Sequence, residues 1–184
     1  MMKKLMLICL VCVFLISCGG PSKFETKIEG KDYSFEIKDA VVTNGKLFAT
    51  DKDGNQSSQA EHYISLANYP FNGSVARSLD KPEQIKVVVR IVSEIGTDIK
   101  STVKPGTYSG GKIAPMTLAD FSVHSFENGQ QKSVYSSKFP AVQHQGEVKI
   151  TAVEGETIKG EINITAGGNW TVKGPFTAKF LPSK

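Results

Sequence analysis

The run that decides the fold lies in the last quarter of the chain. It reads Val148-Lys149-Ile150-Thr151-Ala152, then Ile158-Lys159-Gly160-Glu161-Ile162-Asn163-Ile164, then Trp170-Thr171-Val172 and Phe176-Thr177-Ala178-Lys179-Phe180. Alternate positions are apolar or glycine, and those between are Lys, Thr, Glu or Asn. Side chains on an extended strand point to opposite faces in turn, so this pattern sends one set into a core and the other into water. Glu154-Gly155-Glu156 and Ala166-Gly167-Gly168-Asn169 separate the three runs. Connections that short predict an antiparallel meander. Gly174-Pro175 interrupts the last strand. Proline has no amide hydrogen to donate, so a bulge or an edge position is expected there. Trp170 is expected to cap one end of the core.

The same habit extends toward the N-terminus in shorter pieces. Phe24–Ile28 and Tyr33–Ile37 flank Gly30-Lys31, a predicted hairpin. Val41–Thr43 and Lys46–Ala49 flank Asn44-Gly45, residues that suit the positive φ of a tight turn. Ile64 and Leu66 mark another strand, and His62 alternates with them at the end of a buried face. Ile85–Val92 is the strongest β segment and is expected to be central in a sheet. Phe121, Val123 and Phe126 mark one more strand, followed by Val134–Phe139. Asp51–Glu61 and Lys104–Pro115 read as polar or Gly/Pro-rich loops, and Asp80–Gln84 has room for a single helical turn. No segment sustains a helical period. Nine or ten short strands in one domain favour an all-β fold, an antiparallel two-sheet sandwich. A β-barrel with an internal cavity is the alternative, because both use the same alternation.

The other informative end is the first. Met1-Met2-Lys3-Lys4 precedes an apolar run, Leu5–Ile16, broken only by Cys9 and Cys12. A basic start and an apolar stretch of this length describe a secretory signal. It is too short to span a bilayer comfortably, which takes roughly 20 apolar residues. Leu15-Ile16-Ser17-Cys18 resembles the lipobox of bacterial lipoproteins. That resemblance implies cleavage before Cys18, a diacylglyceryl group on its sulfur and acylation of the new amine. Two or more chains hold a protein firmly at a membrane. The expected organisation is a signal peptide over 1–17, a lipidated tether over 18–23 and a single domain over 24–184. Position 19 holds no aspartate, the usual inner-membrane retention signal of enteric lipoproteins, and no acidic run follows of the kind associated with surface export. An outer-membrane anchor facing the periplasm is expected.

Charge and cysteine content narrow the function. Lys3 and Lys4 account for two of the four net positive charges. The remainder is too weak, and too scattered, to imply a nucleic-acid partner. Two cysteines leave with the signal and the third carries lipid, so the mature body has no disulfide and no thiolate nucleophile. Asp51, Asp53 and Asn55 have the spacing of calcium ligands, but Gly54 comes two positions early and position twelve is His62 rather than Glu. His62, His124 and His144 show no zinc-like spacing. Ser109-Gly110-Gly111-Lys112 lacks the phosphate-loop spacing, and no serine sits in a nucleophile elbow. Glu154 and Glu156 share a solvated turn, which does not suit a glycosidase pair. No catalytic residue, metal site or cofactor is expected. The candidate binding patch is aromatic: Tyr63, Tyr69, Phe71 and Tyr108, at or beside predicted loops, with Asn68-Tyr69-Pro70-Phe71-Asn72-Gly73 at its centre. Tyrosine offers apolar area with a polar handle.

Three segments carry a wider likeness. They are Phe24-Glu25-Thr26-Lys27-Ile28-Glu29-Gly30-Lys31 at the mature start, Pro105-Gly106-Thr107-Tyr108 in the middle, and a closing set at the end. The closing set comprises Gly146–Thr151, Ile158–Ile162 and Val172–Phe176. Together they resemble a group of small uncharacterised β-rich lipoproteins of Bacteroidota. Glu161 and Pro175 stand where that group commonly has threonine. The resemblance implies an envelope location and a β-rich domain, and it brings no catalytic residues. The expected function is a non-catalytic binding or structural module. Its expected partner is an envelope protein, a glycan or a small apolar ligand. An envelope hydrolase is the alternative.

Overall fold

The computed structural model describes residues 23–50, 53–71, 74–75, 78–98, 100–110, 116–135 and 144–181. The signal segment 1–17, Cys18 and the tether up to Ser22 lie outside the described residues. So do Asp51, Lys52, Asn72, Gly73, Gly111 and Lys112 from the motifs above.

Eleven strands and no helix occur among the described residues. They are β1 (Lys23–Ile28), β2 (Lys31–Glu36), β3 (Asp39–Thr50), β4 (Gln56–Ala67), β5 (Ile85–Val92) and β6 (Gly106–Ser109). The rest are β7 (Thr117–Glu127), β8 (Gln130–Tyr135), β9 (His144–Glu154), β10 (Thr157–Ala166) and β11 (Trp170–Phe180). The meander read from the C-terminal alternation is present as β9–β10–β11, antiparallel throughout. β5 lies between β4 and β7, as its apolar content required.

The chain is all-β, and its sheet closes into an eight-stranded barrel rather than splitting into two layers. Neighbours run β10-β9-β6-β7-β5-β4-β3-β11, and β11 pairs back with β10 from Thr157↔Lys179 to Ala166↔Trp170. The two-sheet sandwich is therefore corrected to the barrel alternative. The two architectures bury the same alternating face. What separates them is a pair of short parallel contacts that complete the ring. One is Lys179↔Val41 with Phe180↔Val42, and the other is Ser109↔Thr117. β1–β2 extends the sheet from β11, and β8 extends it from β7.

β11 changes neighbour along its length. β1 flanks it at Thr171–Lys173 and β3 at Lys179–Phe180. Pro175 falls in the gap between them. The β10–β11 register runs unbroken past it, so the edge-like side of the strand accommodates proline without a bulge. An eight-stranded barrel is just wide enough for side chains to fill it. Here the inward rows of Phe24, Val42, Leu66, Val89, Ile162 and Val172, with their neighbours, make one continuous core. Trp170 is buried at the end of that core, as expected.

Two turn expectations part company. Glu29-Gly30 makes the β1–β2 hairpin, with φ of 51° and 83°, as the primed two-residue turn requires. Asn44-Gly45 makes no turn: β3 runs through both, pairing Asn44 with His62 and Gly45 with Glu61. A Cβ on Gly45 would lie 2.6 Å from Glu61 Oε1, so glycine here makes room for a carboxylate on the next strand. The expected loop Asp51–Glu61 likewise gives way to β4 from Gln56, and Lys104–Pro115 contains β6.

The strands give the barrel two distinct ends. At the lower end, Gly30 N donates to Asn169 O (3.1 Å), Tyr33 Oη donates to Glu127 Oε1 (2.8 Å) and Lys132 pairs with Glu29. At the upper end, β3 and β4 continue past the last residues of β11 as a projecting hairpin, still paired out to Thr50↔Gln56.

Candidate functional site

The structure does not gather the four aromatic candidates into a patch. Tyr108 is fully buried in the barrel core, and its hydroxyl donates to Lys104 O at 3.1 Å. Tyr69 and Phe71 are 5% and 2% exposed and meet edge to face, with centroids 5.8 Å apart. They pack with Val41, Ala67 and Leu79 on the outside of β3–β4, under the chain between β4 and β5. That segment is pinned down. Phe71 N donates to Asp39 Oδ2 (2.8 Å), Asn68 Nδ2 donates to Glu83 O (2.7 Å), and Asn68 Oδ1 accepts from Ile85 N (2.8 Å). Asn68-Tyr69-Pro70-Phe71 is thus a satellite core, with the rings driven inward by the apolar area they remove from water. Tyr63 alone stays half-exposed, higher on the same outer face of β4.

Tyr63 belongs to a polar cluster that spans four strands. On the outward face Gly45 lies opposite Glu61, and one step along the sheet Tyr63, Arg90 and Asp120 lie in register over β4, β5 and β7. Arg90 Nη1 reaches Glu61 Oε2 at 3.2 Å, Arg90 Nη2 reaches Asp120 Oδ2 at 2.6 Å, and Tyr63 Oη donates to Glu61 Oε1 at 2.9 Å. Glu61 keeps only 9% of its side chain exposed, and a buried carboxylate persists only with such partners. Burial pulls the Arg90 pKa down, but Asp120, then Tyr63 and Glu61, outweigh it and hold it raised. Burial, followed by Glu61, raises that of Tyr63. The sequence shows each of these as an ordinary outward polar residue. Only the register brings them together.

The histidines occupy separate places. His62 points inward near the upper rim, as its alternation with Ile64 and Leu66 implied. Its Nδ1 donates to Asn44 Oδ1 (2.9 Å), leaving Nε2 to accept from Ser93 Oγ at 3.5 Å. Burial lowers its pKa to about 4. His124 lies on the outer face between Ser122 Oγ (3.0 Å to Nε2) and Ser133 Oγ (2.8 Å to Nδ1). Burial, then Lys86 directly across in register, lowers its pKa to about 4 as well. Lys86 is itself buried, which lowers its pKa, and its Nζ donates to Val75 O at 3.2 Å. The backbone of His144 begins β9, far from both; its side chain lies outside the described residues.

Ser122 and His124 have the contact that a hydroxyl nucleophile and its base need. The far nitrogen of His124, however, meets a serine hydroxyl where a catalytic histidine is normally oriented by a carboxylate. Lys86 beside it opposes the imidazolium that catalysis would form. Among the described residues, no three His, Cys, Asp or Glu side chains group as a metal site. Glu154 and Glu156 remain exposed on the β9–β10 turn.

Two open clefts mark the wall where β11 changes neighbour. One, of about 290 Å³, is lined by Glu25, Thr26, Asp32, Tyr33, Ser34 and Thr171. The other, of about 250 Å³, is lined by Ile37, Lys38, Asp39, Ala40, Thr177 and Lys179. Both are small and of mixed polarity, and their groups are partly engaged: Thr26 Oγ1 donates to Thr171 O (2.7 Å), and Lys27 pairs with Asp32 (3.4 Å). Neither a protein-family model, nor a curated protein, nor a solved structure matches this chain.

Proposed function

We propose that the protein is a cell-envelope lipoprotein, anchored through lipid on Cys18 in the outer membrane and facing the periplasm. In this proposal it works as a non-catalytic binding or structural module for an envelope protein or a glycan. The observation that supports the proposal is the packing of the inward rows, among the described residues, into one continuous apolar core. Carriage of a small apolar ligand needs an apolar pocket of several hundred Å³. Here the inward rows meet one another as a continuous core. Contact then falls to the outer wall and the projecting β3–β4 hairpin. The buried polar side chains support the same proposal, since Glu61, Arg90, His62 and His124 are bonded to the protein itself.

The test is mass spectrometry of the protein from its native membrane, together with fractionation of a Cys18→Ser variant. The expected result is a chain beginning at Cys18 with diacylglyceryl and acyl groups, and release of the variant from the membrane. An intact, unmodified N-terminus would refute the anchor. A stoichiometric apolar molecule extracted from the purified barrel would refute the external mode of binding.

A further inference from the structure

Between Gly19 and Lys184 the sequence holds a single sulfur atom, on Met116. Its side chain is partly exposed and packs against the barrel core. A thioether is apolar and adaptable, and it fills irregular gaps of this kind. The gap is made by Gly106 at the start of β6. Its φ of 148° favours glycine, and its missing side chain is used: the Met116 methyl lies where a Cβ on Gly106 would be, with Met116 Sδ 3.5 Å from that point. The methionine therefore sits in a notch that only glycine leaves open, and its sulfur lies between core and solvent.

The place of this contact in the ring supplies the second observation. Met116 immediately precedes Thr117, which forms with Ser109 the register pair that joins β6 to β7. This is the shorter of the two parallel closures, since β11 meets β3 at both Lys179↔Val41 and Phe180↔Val42. On its other side β6 is held to β9 from Gly106↔Ile150 to Ser109↔Glu147. The packing of Met116 on Gly106 thus ties β7 to β6 where the backbone pairing is thinnest.

We infer that Met116 is an oxidant-sensitive latch: a peroxide converts its thioether to the sulfoxide, and the β6–β7 closure opens. A lone pair on sulfur attacks one peroxide oxygen, the O–O bond breaks and an S–O bond forms. The departing hydroxide takes the proton of the transferred oxygen and leaves as water. Sulfur is oxidised and the peroxide is reduced. The product is polar where the thioether was apolar. Held in the Gly106 notch against the core, it must keep its oxygen hydrated or lose free energy by burial. Leaving the notch meets that need, and it releases β7 from β6 while β6 stays paired with β9. The step is reversible, because sulfoxide reductases return each sulfoxide epimer to methionine. The inference does not depend on lipid at Cys18.

The test treats the protein, purified from its membrane, with hydrogen peroxide. Peptide mass mapping reads the gain of one oxygen at Met116, and nuclear Overhauser contacts between Ser109 and Thr117 read the closure. The expected result is oxidation of Met116 in the folded protein with loss of those contacts, while the β10–β11 contacts persist. Treatment with both sulfoxide reductases should restore them. Met116→Leu conserves volume and has no sulfur, so it should keep the Ser109–Thr117 contacts through the same treatment. Three outcomes overturn the latch, and each is read on the unsubstituted protein. They are a Met116 that stays reduced under peroxide sufficient to oxidise the urea-unfolded chain, an oxidised Met116 with the Ser109–Thr117 contacts intact, and loss of the β10–β11 contacts along with them. Loss of the closure in peroxide-treated Met116→Leu overturns it as well.

Discussion

His62 and His124 turn two buried hydrogen-bond networks into a pH-dependent stability. Each imidazole is held neutral in the fold, with its pKa lowered to about 4 from an ordinary 6.5, chiefly by burial. In the unfolded chain each recovers its ordinary affinity for protons. Between those two values the unfolded state binds more protons than the folded one, so stability falls as pH falls. It is complete above about pH 6.5, declines as pH drops, and loses nothing further to these groups below about pH 4. Integrating between about pH 7.5 and 5 gives roughly 2 kcal/mol for each histidine, or about 4 kcal/mol for the pair. That is a large share of the 5–15 kcal/mol typical of a domain. Stopping near pH 5 keeps most carboxylates ionised, so the histidines dominate the change. The assay is urea unfolding across this range. His62→Asn keeps an amide donor toward Asn44 and cannot titrate, so it should remove about half of the loss, and a second variant, His124→Asn, the remainder. An unchanged dependence in both variants would refute the assignment of neutral, buried histidines.

Three further substitutions test the packing. Gly160→Ala should destabilise by about 1–3 kcal/mol, because its Cβ would lie 2.5 Å from Lys149 O and 2.9 Å from the Phe176 ring; thermal unfolding reads this directly. Arg90→Met should cost about 2–3 kcal/mol by leaving Glu61 buried without its cation, somewhat under the cost for a fully buried pair because the Arg90 side chain is 27% exposed. Adding Glu61→Gln should recover part of that loss in chemical denaturation. Phe71→Ala should lower stability by about 3–5 kcal/mol, the signature of a core ring. An unchanged melting curve with altered binding would return Phe71 to the role of an exposed contact.

The parts of this fold that were legible in the sequence are those set by nearest neighbours in the chain. The alternation from Val148 to Phe180 specified three strands and their inward rows. Ile85–Val92 announced a central strand, and Gly30-Lys31 a hairpin, whose turn falls one residue earlier, at Glu29-Gly30. His62 was placed on an inward row by its spacing from Ile64 and Leu66. What was not legible depends on who lies across the sheet. Asn44-Gly45 has the composition of a turn, yet its glycine answers to Glu61 and its asparagine to His62, both on the next strand. Closure rests on the contacts of Val41 and Val42 with Lys179 and Phe180, and no local pattern encodes these. Tyr69 and Phe71 sit in a stretch that reads as loop, and their burial follows from an outer face of β3–β4 that only the assembled barrel presents. Arg90 was visible as a charge on a strand. Its position between Glu61 and Asp120 was not.

The closed barrel depends most directly on the seam between β3 and β11. Nuclear Overhauser contacts in the folded domain test it, between the residues around Val41–Val42 and those around Lys179–Leu181. The slow exchange of the Leu181 amide, which donates to Val42 O at 2.9 Å, gives a second signal from the same experiment. The account predicts cross-peaks between these segments in parallel register, with that amide protected. A well-folded domain showing β10–β11 contacts but none across this seam would contradict it and return the fold to an open, two-layered sheet.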